Sequence, residues 1–531
     1  MHDLSYRKNF DPSQEWKSTI PEPIFEDQPE WNRLYWKAWE LAHDHIKKLP
    51  GMPQSPYMDE AFLESNIWIW DTCFMALFCK FSPERFPGVE SFRNFYEPLY
   101  NHRKLPSIMS DKDAAMLGYP KGLPVPVQIH IADNPPLFAW AEYRYVMYSG
   151  DKEHIRKLLL DDQFLQKHFH FLESIYEQVH PECVYVPTCW RKHPKGYFWE
   201  GGRSGMDNTP RGRNGKTCSV NRPNNPDMLW IDAIAQQALS ALYISRLALL
   251  IGENELAEHW KKIYGQLKNT VNENYWDEVD GFYYDIHAET GEFIKVVTPA
   301  SFWVMLAEIP SQEQAERMCR FLTDPQKLGG HVPCLSLARD DGDFNAENGE
   351  YWRGSLWIPT AYMIIEALDS YGFFDLAADL SGKIINHMNQ TFLEYTPHTI
   401  WECYAPDKPV PASTCGKPQQ TVREDFCGWS ALGPISLYIE HVLGFRSADA
   451  FRKELFWNPP KNKTGKTGIK NFRFGEIITD IILENGICTV KSNRDYTLNV
   501  DGIPFKIHAG KNEVLFPIKV DLCPIILSCP P

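Results

Sequence analysis

From about residue 30 to 455, apolar residues recur at the three-to-four spacing that places them on one face of a helix, and Pro, Gly, Asn and Asp gather between the runs. The spacing predicts helices over 31–48, 136–148, 227–251, 253–275, 311–322, 359–371, 374–390 and 428–442. Several of them run into long loops that hold the chemically unusual residues. That arrangement is expected of a toroid of helical hairpins whose loops gather at one end and line a pocket. Segment 274–285 reads as a helix end followed by a short hairpin turning at Asp280 and Gly281. After about residue 456 the period changes to two. Runs 477–483, 487–492 and 496–500 alternate apolar and polar positions around the turn pairs Asn485-Gly486 and Asp501-Gly502, so short strands are expected. The division that follows is a mainly α unit with an N-terminal extension over 1–455 and a small C-terminal β-sandwich-like domain over 456–531.

A chain of 531 residues can bury one large helical core with a small appendage. Its formal net charge of −15 would repel nucleic acid and anionic membrane surfaces, which leaves a neutral small ligand as the better partner. Aromatic residues make up 14% of the chain, 18 of them Trp, and flat rings serve both sugar faces and helix packing. For any single Trp, core packing is the commoner use. The 13 cysteines form no CxxC pair and no Cys/His cluster at zinc-ligand spacing, so they are expected as reduced, buried, small apolar residues. The polar start Met1 to Lys8 lacks the apolar stretch of a secretory signal, and no run of 18 apolar residues occurs, so a cytoplasmic location is expected.

The chemistry-bearing segments are few. Gly202 to Pro210 sets Asp207 in a bend of Gly205, Asn208 and Pro210, downstream of Tyr197, Phe198 and Trp199. A carboxyl aimed from such a bend can protonate a leaving oxygen, although a turn or N-cap aspartate looks the same locally. A second acid, Glu402, lies far along the chain between Trp401 and Tyr404, in a loop without helical or strand period. Two carboxyls are what the hydrolysis of a glycosidic bond requires. Glu424, just before the last long helix, is the alternative base, or a residue favouring that helix's positive end. Segments 68–72, 133–136 and 350–357 mix rings with Asp, Asn and Arg, as recognition of a pyranose demands. For Arg353 a structural ion pair is an equal alternative. His168 and His170, with His180, and likewise His102 with His130, lack metal-ligand spacing; no Gly-rich phosphate loop or nucleophile elbow occurs, so neither metal nor cofactor is expected.

Trp70-Asp71, Asn134-Pro135-Pro136, Ser204 to Asn208, Asn274 to Asp285, Tyr351 to Gly354 with Trp357, Trp401 to Tyr404 and Gly428-Trp429 occur in an order that resembles the trehalase-like six-hairpin glycosidases. The resemblance is closest to glycoside hydrolase family 63, which includes processing α-glucosidase I, bacterial α-glucosidases and mannosylglycerate hydrolases. It covers about residues 30 to 445. It implies an (α/α)6 barrel and hydrolysis with inversion, with Asp207 as general acid and Glu402 as general base. Trp70, Asp71, Tyr351, Trp352, Arg353 and Trp357 would surround the sugar, and Asn134, Gly205, Trp401 and Trp429 are counted as further substrate contacts. Two departures stand out. Asn134 takes the place of a Gln common in relatives, and Gln420 occupies the position nearest to the base of trehalases proper. The expected activity is exo-acting cleavage of a short α-linked, glucose-containing oligosaccharide or glycoside. The alternatives are a hydrolase of mannosylglycerate, with Arg203 or Arg211 holding the glycerate, or of a trehalose-like disaccharide, and a non-catalytic carbohydrate-binding protein on the same fold.

Overall fold

The computed structural model describes residues 15–48, 53–59, 67–100, 134–178, 190–213, 217–219, 222–223, 225–461 and 464–515. Among the described residues 44% are helical and 20% in strands, and the helices come in pairs of unlike burial. Helix Ile231–Leu250 is apolar nearly all round and buried along most of its length, while Asn254–Asn274, which follows after a three-residue turn, buries only Ala257, Trp260 and Val271. Helix Ile358–Ser370 is buried from Ile358 through Leu368, and Phe374–Glu394 returns outside it, half-buried. A helix apolar on every side belongs inside and an amphipathic one belongs on the surface, so each of these two hairpins contributes one inner and one outer helix. Ile231–Leu250 has the length and apolarity to cross a membrane, yet 78% of its apolar window is buried inside the protein.

The helical periods reappear with shifted ends. The predicted 31–48 helix stops at Asp44 because Ile46–Lys47 pairs instead with Tyr57–Met58. The 227–251 helix begins only at Ile231, since Met228–Leu229 is taken into a sheet. Ser311 caps Gln312–Thr323 through a reciprocal bond with Gln314, an arrangement worth about 1 kcal/mol. The last helix starts as a single 3-10 turn, Ser430–Leu432, and continues as a wider π-type helix, Gly433–Val442. The hairpin after residue 274 forms with Trp276–Asp277 against Phe282–Tyr283 and Gly281 at φ 70°. Periodicity did not reveal a five-stranded antiparallel sheet inside the helical region, whose adjacent strands are Phe293–Ile294, Asp285–His287, Met228–Leu229, Gly196–Phe198 and Arg191–His193. Its strands are two or three residues long, too short to show a period of two.

The C-terminal β region begins at Phe445, earlier than the change of period near 456, and consists of two sheets. One is four-stranded: Phe445–Asp449, Glu454–Trp457, Tyr496–Val500 and Ile503–Ile507. The other is five-stranded and takes its edge strand, Glu22–Phe25, from the N-terminal region, which pairs antiparallel with Thr467–Phe474. Asn485-Gly486 and Asp501-Gly502 turn the expected hairpins with both residues at positive φ.

Candidate active site

Helix Ile69–Cys79 is buried at every position and opens with Trp70 and Asp71 in its first turn. The bend carrying Asp207 lies directly on this turn. Gly205 has φ +85°, and a Cβ there would stand 3.0 Å from the Trp70 indole, so only glycine lets the backbone rest on the ring. Asp207 itself is half-buried two residues on.

Asn208 extends the bend into a clasp. Its Nδ2 donates to the Glu350 carbonyl at 2.9 Å, and its Oδ1 accepts the Trp352 N–H at 2.8 Å. The clasped turn is unusual, since Glu350 and Tyr351 both hold positive φ, at 33° and 67°. Such conformations cost non-glycine residues free energy and persist only where surrounding bonds hold them. The turn presents the Tyr351 hydroxyl, which donates to Glu402 Oε1 at 2.7 Å. The Glu402 loop is laced to the same segment by mutual Leu356–Tyr404 backbone bonds of 2.8 and 3.1 Å, and to Arg423 by the Glu402 N–H at 3.0 Å. The Arg423 N–H returns to Glu402 Oε2 at 3.3 Å. Trp429 Nε1 and the Ser430 hydroxyl both donate to the Glu402 carbonyl.

Glu402 is therefore a buried side chain whose two carboxyl oxygens each accept a hydrogen bond, the pattern of an ionised carboxylate. Burial raises its pKa above the ordinary carboxylate value, opposed by the Tyr351 hydroxyl and by the Arg423 N–H and guanidinium. Asp71 is raised well above its ordinary value, first by burial and then by the charges of Glu402 and Asp207, while its own backbone N–H works the other way. Burial followed by the same two carboxylates also holds the Tyr351 phenol up. Asp71 and Tyr351 thus both feel Asp207 and Glu402, and the four residues form one electrostatic site assembled from distant parts of the chain.

Around them Trp352 stacks on Trp357 at 4.1 Å between ring centroids, and Trp357 meets Tyr351 edge-on at 4.7 Å and Trp429 at 5.6 Å. Arg353 remains about a third exposed, with Asp343 only at 4.0 Å and a long 3.4 Å bond from Nε to the Asn208 carbonyl. Trp401 is buried and packs edge-on against Tyr395. Asn134 lies buried shortly before helix Phe138–Ser149. Glu424 is exposed, beyond an exposed strand Lys417–Thr421 that pairs with Ser413–Thr414. Arg203 is largely buried with Nε 3.8 Å from Glu200. Arg211 cannot serve as a substrate ligand as expected: it is buried, forks onto both Asp232 and Asp285 at 2.6–2.9 Å, and lies over Trp230. Its Nη1 also donates to Met206 Sδ at 3.9 Å, so none of its five donors is left for a ligand.

Two contributors escaped sequence reading, Arg423 and Ser430, which act through a backbone N–H and a small hydroxyl, and Asn208, read as part of the Asp207 bend, has the further role of clasping the 350–352 turn. His102, His130 and His180 lie outside the described residues. His168 is buried and His170 exposed, on different faces of their helix as the spacing implied. One buried group, Glu366, Glu440 and His441, has the spacing of a metal site. Cations of the chain already fill it, since Glu440 pairs with Lys80 at 2.8 Å and with Arg144 at 2.6 Å, and Arg144 reaches Glu366 at 3.2 Å. The group is an ion-pair network joining inner helices.

Buried carboxylates beside stacked indoles are the side-chain types a carbohydrate site calls for. Residues 64–414 match the family model for the mannosylglycerate hydrolase MGH1-like glycoside hydrolase domain, and the chain belongs to that family. An uncharacterized protein of Borreliella burgdorferi is 25% identical over 399 residues, 74% of this chain and 76% of that protein. A mannosylglycerate hydrolase of Thermus thermophilus is 32% identical over 166 residues, 31% of this chain and 38% of its own length. A mannosyl-oligosaccharide glucosidase of Saccharomyces cerevisiae is 25% identical over 247 residues, 43% of this chain and 27% of its own length. The crystal structure of the GH63 mannosylglycerate hydrolase from Thermus thermophilus superposes with a TM-score of 0.54 at 19% identity, over 76% of this chain and 99% of that one, a likeness of fold.

Proposed function

We propose that this glycoside hydrolase is an exo-acting, inverting enzyme that removes an α-linked sugar, glucose in the leading reading, from a short oligosaccharide or glycoside. Its inner and outer helices would close as an (α/α)6 barrel ahead of Phe445, with a β-sandwich-like domain formed by the strands from Phe445 onward and by Glu22–Phe25 packed against it. The observation that carries the reading is the state of Glu402: buried, accepting on both oxygens, and sharing its electrostatic surroundings with Asp207. Held as a carboxylate with a raised pKa, Glu402 is a competent base for a water on one face of the sugar. Asp207, on its partly open bend, protonates the departing oxygen as the anomeric C–O bond breaks, and the new C–O bond forms on the opposite face. Glu402 takes this role ahead of Glu424 because an exposed carboxylate has neither burial nor fixed donors to tune it. Trp352, Trp357 and Trp429 supply apolar surface to the sugar, and Asp71 and Arg353 bond its hydroxyls.

A mannosylglycerate-like substrate is the second reading, favoured by the 32% identity to the Thermus thermophilus hydrolase. With Arg211 occupied, the glycerate carboxylate would fall to Arg203 or Arg353. The free thiols among the described residues, most of them buried, suit a reducing compartment such as the cytoplasm.

Proton NMR of the anomeric signals during digestion of α-linked glucosyl and mannosyl disaccharides tests the proposal on wild type, Asp207→Asn, Glu402→Gln and Glu424→Gln. The expected result is β-anomer released first, lost in the first two variants and kept in the third. First release of the α-anomer, or activity that survives Glu402→Gln and dies with Glu424→Gln, overturns the mechanism or the base. Sugar binding without turnover in wild type would instead favour the binding-protein alternative.

A further inference from the structure

We propose that Asn348, fastened by Ser413, is a positioning residue that aims the Tyr351 hydroxyl at the Glu402 carboxylate. Three successive residues of the turn, Gly349, Glu350 and Tyr351, hold left-handed backbone at φ 73°, 33° and 67°. Only the first is a glycine, so the other two keep this conformation only where neighbouring bonds impose it. Asn208 holds one side of the turn, at the Glu350 carbonyl and the Trp352 N–H. Asn348 holds the other. Its Oδ1 accepts the Glu350 N–H at 3.2 Å and the Ser413 hydroxyl at 2.8 Å, which uses both lone pairs, and its Nδ2 donates to the Pro418 carbonyl at 3.5 Å. Because the Glu350 N–H can only donate, the amide is fixed in this orientation. The Asn348 carbonyl also accepts the Ser413 N–H at 3.1 Å.

Ser413, which is buried, belongs to the stretch that carries the other donor of the carboxylate. The Ala412 N–H bonds the Cys403 carbonyl at 3.2 Å, the Val422 N–H bonds the Ala412 carbonyl at 3.0 Å, and Arg423 follows with the N–H that reaches Glu402 Oε2. A closed circuit results. It runs from Glu402 and Cys403 across to Ala412 and Ser413, through Asn348 to Glu350 and Tyr351, and back by the phenol to Glu402 Oε1. Both donors of Glu402 are thus carried on segments that the Ser413–Asn348 contact ties together. Trp357 holds the Tyr351 carbonyl at 2.9 Å and its ring edge-on, so breaking the Asn348 node should misdirect the phenol without opening the fold.

Four groups act electrostatically on Glu402 or feel its charge: Asp71 from the first turn of helix Ile69–Cys79, Tyr351, Arg423 and the neighbouring Cys403 thiol. Asp207 shares Asp71 and Tyr351 with it. Asn348 and Ser413 are neutral, so replacing either by alanine changes no charge, and the effect on Glu402 must pass through the donors they hold in place. In geometry this role stands on the bonds alone; in rate it rests on Glu402 being the base.

Melting temperatures of the full chain and of its Glu402→Gln partner, compared from about pH 4 to about pH 9, test it without reference to activity, because their difference levels off above the folded pKa of Glu402. In Asn348→Ala and in Ser413→Ala the levelling pH is expected to rise by about half a unit or more, in the same direction as in Tyr351→Phe. Combined with Tyr351→Phe, neither should raise it further. Ser413→Thr, which keeps the hydroxyl, should leave it at the wild-type value. The acidic limb of kcat/KM, on whichever α-glucosyl or α-mannosyl disaccharide wild type turns over, should move with it. Alanine variants that melt lower yet keep the wild-type levelling pH, or shifts that add to that of Tyr351→Phe, overturn the positioning role. A levelling pH that moves while the acidic limb stays fixed supports that role and removes Glu402 as the base.

Discussion

The Tyr351 hydroxyl donates to Glu402 Oε1 at 2.7 Å, joining two residues that stand 51 positions apart in the chain. A phenol donating to a carboxylate favours its charged form, so Tyr351 offsets part of the rise that burial imposes on Glu402. The tyrosine is thereby a positioning residue for the proposed base.

Removing that donor has a defined sign. In Tyr351→Phe the Glu402 pKa rises further, and the base is then ionised only at higher pH. The acidic limb of kcat/KM should move upward, and activity at acidic pH should fall by about tenfold or more, in keeping with the roughly 1.5–3 kcal/mol of a hydrogen bond to a charged group. An acidic limb at the wild-type position would remove Tyr351 from the tuning of the base.

Asn208 is expected to matter almost as much as its neighbour. Asn208→Ala leaves the buried Trp352 N–H without its 2.8 Å acceptor and frees the left-handed turn at Glu350 and Tyr351. A loss of about 1–3 kcal/mol in stability should accompany a fall in kcat larger than the change in KM, measured by denaturant titration and steady-state kinetics.

Asp71 should trade stability for function. Its folded pKa is raised by burial and by Glu402 and Asp207, so the folded state favours the protonated form. Its stabilising contribution is complete below the unfolded value near 4 and is lost as pH rises through the folded pKa. Asp71→Asn should therefore melt higher than wild type at neutral pH, with the gap closing in acid, while turnover falls. A variant that melts lower at every pH contradicts this account.

His154 works with the same sign in a higher pH range. Its Nε2 lies 2.7 Å from the fully buried Glu142, and this partner outweighs desolvation to raise the imidazole from 6.5 to about 9. The pair's contribution is complete below 6.5 and disappears as pH rises through about 9. The melting temperature of wild type should exceed that of His154→Gln at pH 6 and converge on it at alkaline pH.

Arg211 is predicted to be purely architectural. Arg211→Met leaves Asp232 and Asp285 buried and unpaired, and breaking such a pair costs about 3–5 kcal/mol. Equilibrium unfolding should show that loss. A stable variant with a raised KM for an anionic substrate would return Arg211 to the role expected from sequence.

Much of this protein was legible one segment at a time. The long helices, the hairpin after residue 274 and the C-terminal strands follow from local period and turn chemistry, because burying one face of a helix or strand imposes its own spacing on the chain. The ordered motifs likewise singled out Asp207 and Glu402 as candidates and the family to which the chain belongs. Tertiary structure decided the rest. The short-stranded sheet, the recruitment of Glu22–Phe25 into a sheet otherwise built by the last residues, and the spending of Arg211 on two aspartates depend on partners tens to hundreds of residues away. So does the site's electrostatics. Glu402 differs from the exposed Glu424 through burial, a phenol and a backbone N–H brought from elsewhere, and neither desolvation nor a non-local hydrogen bond leaves a mark on the sequence around the residue it changes.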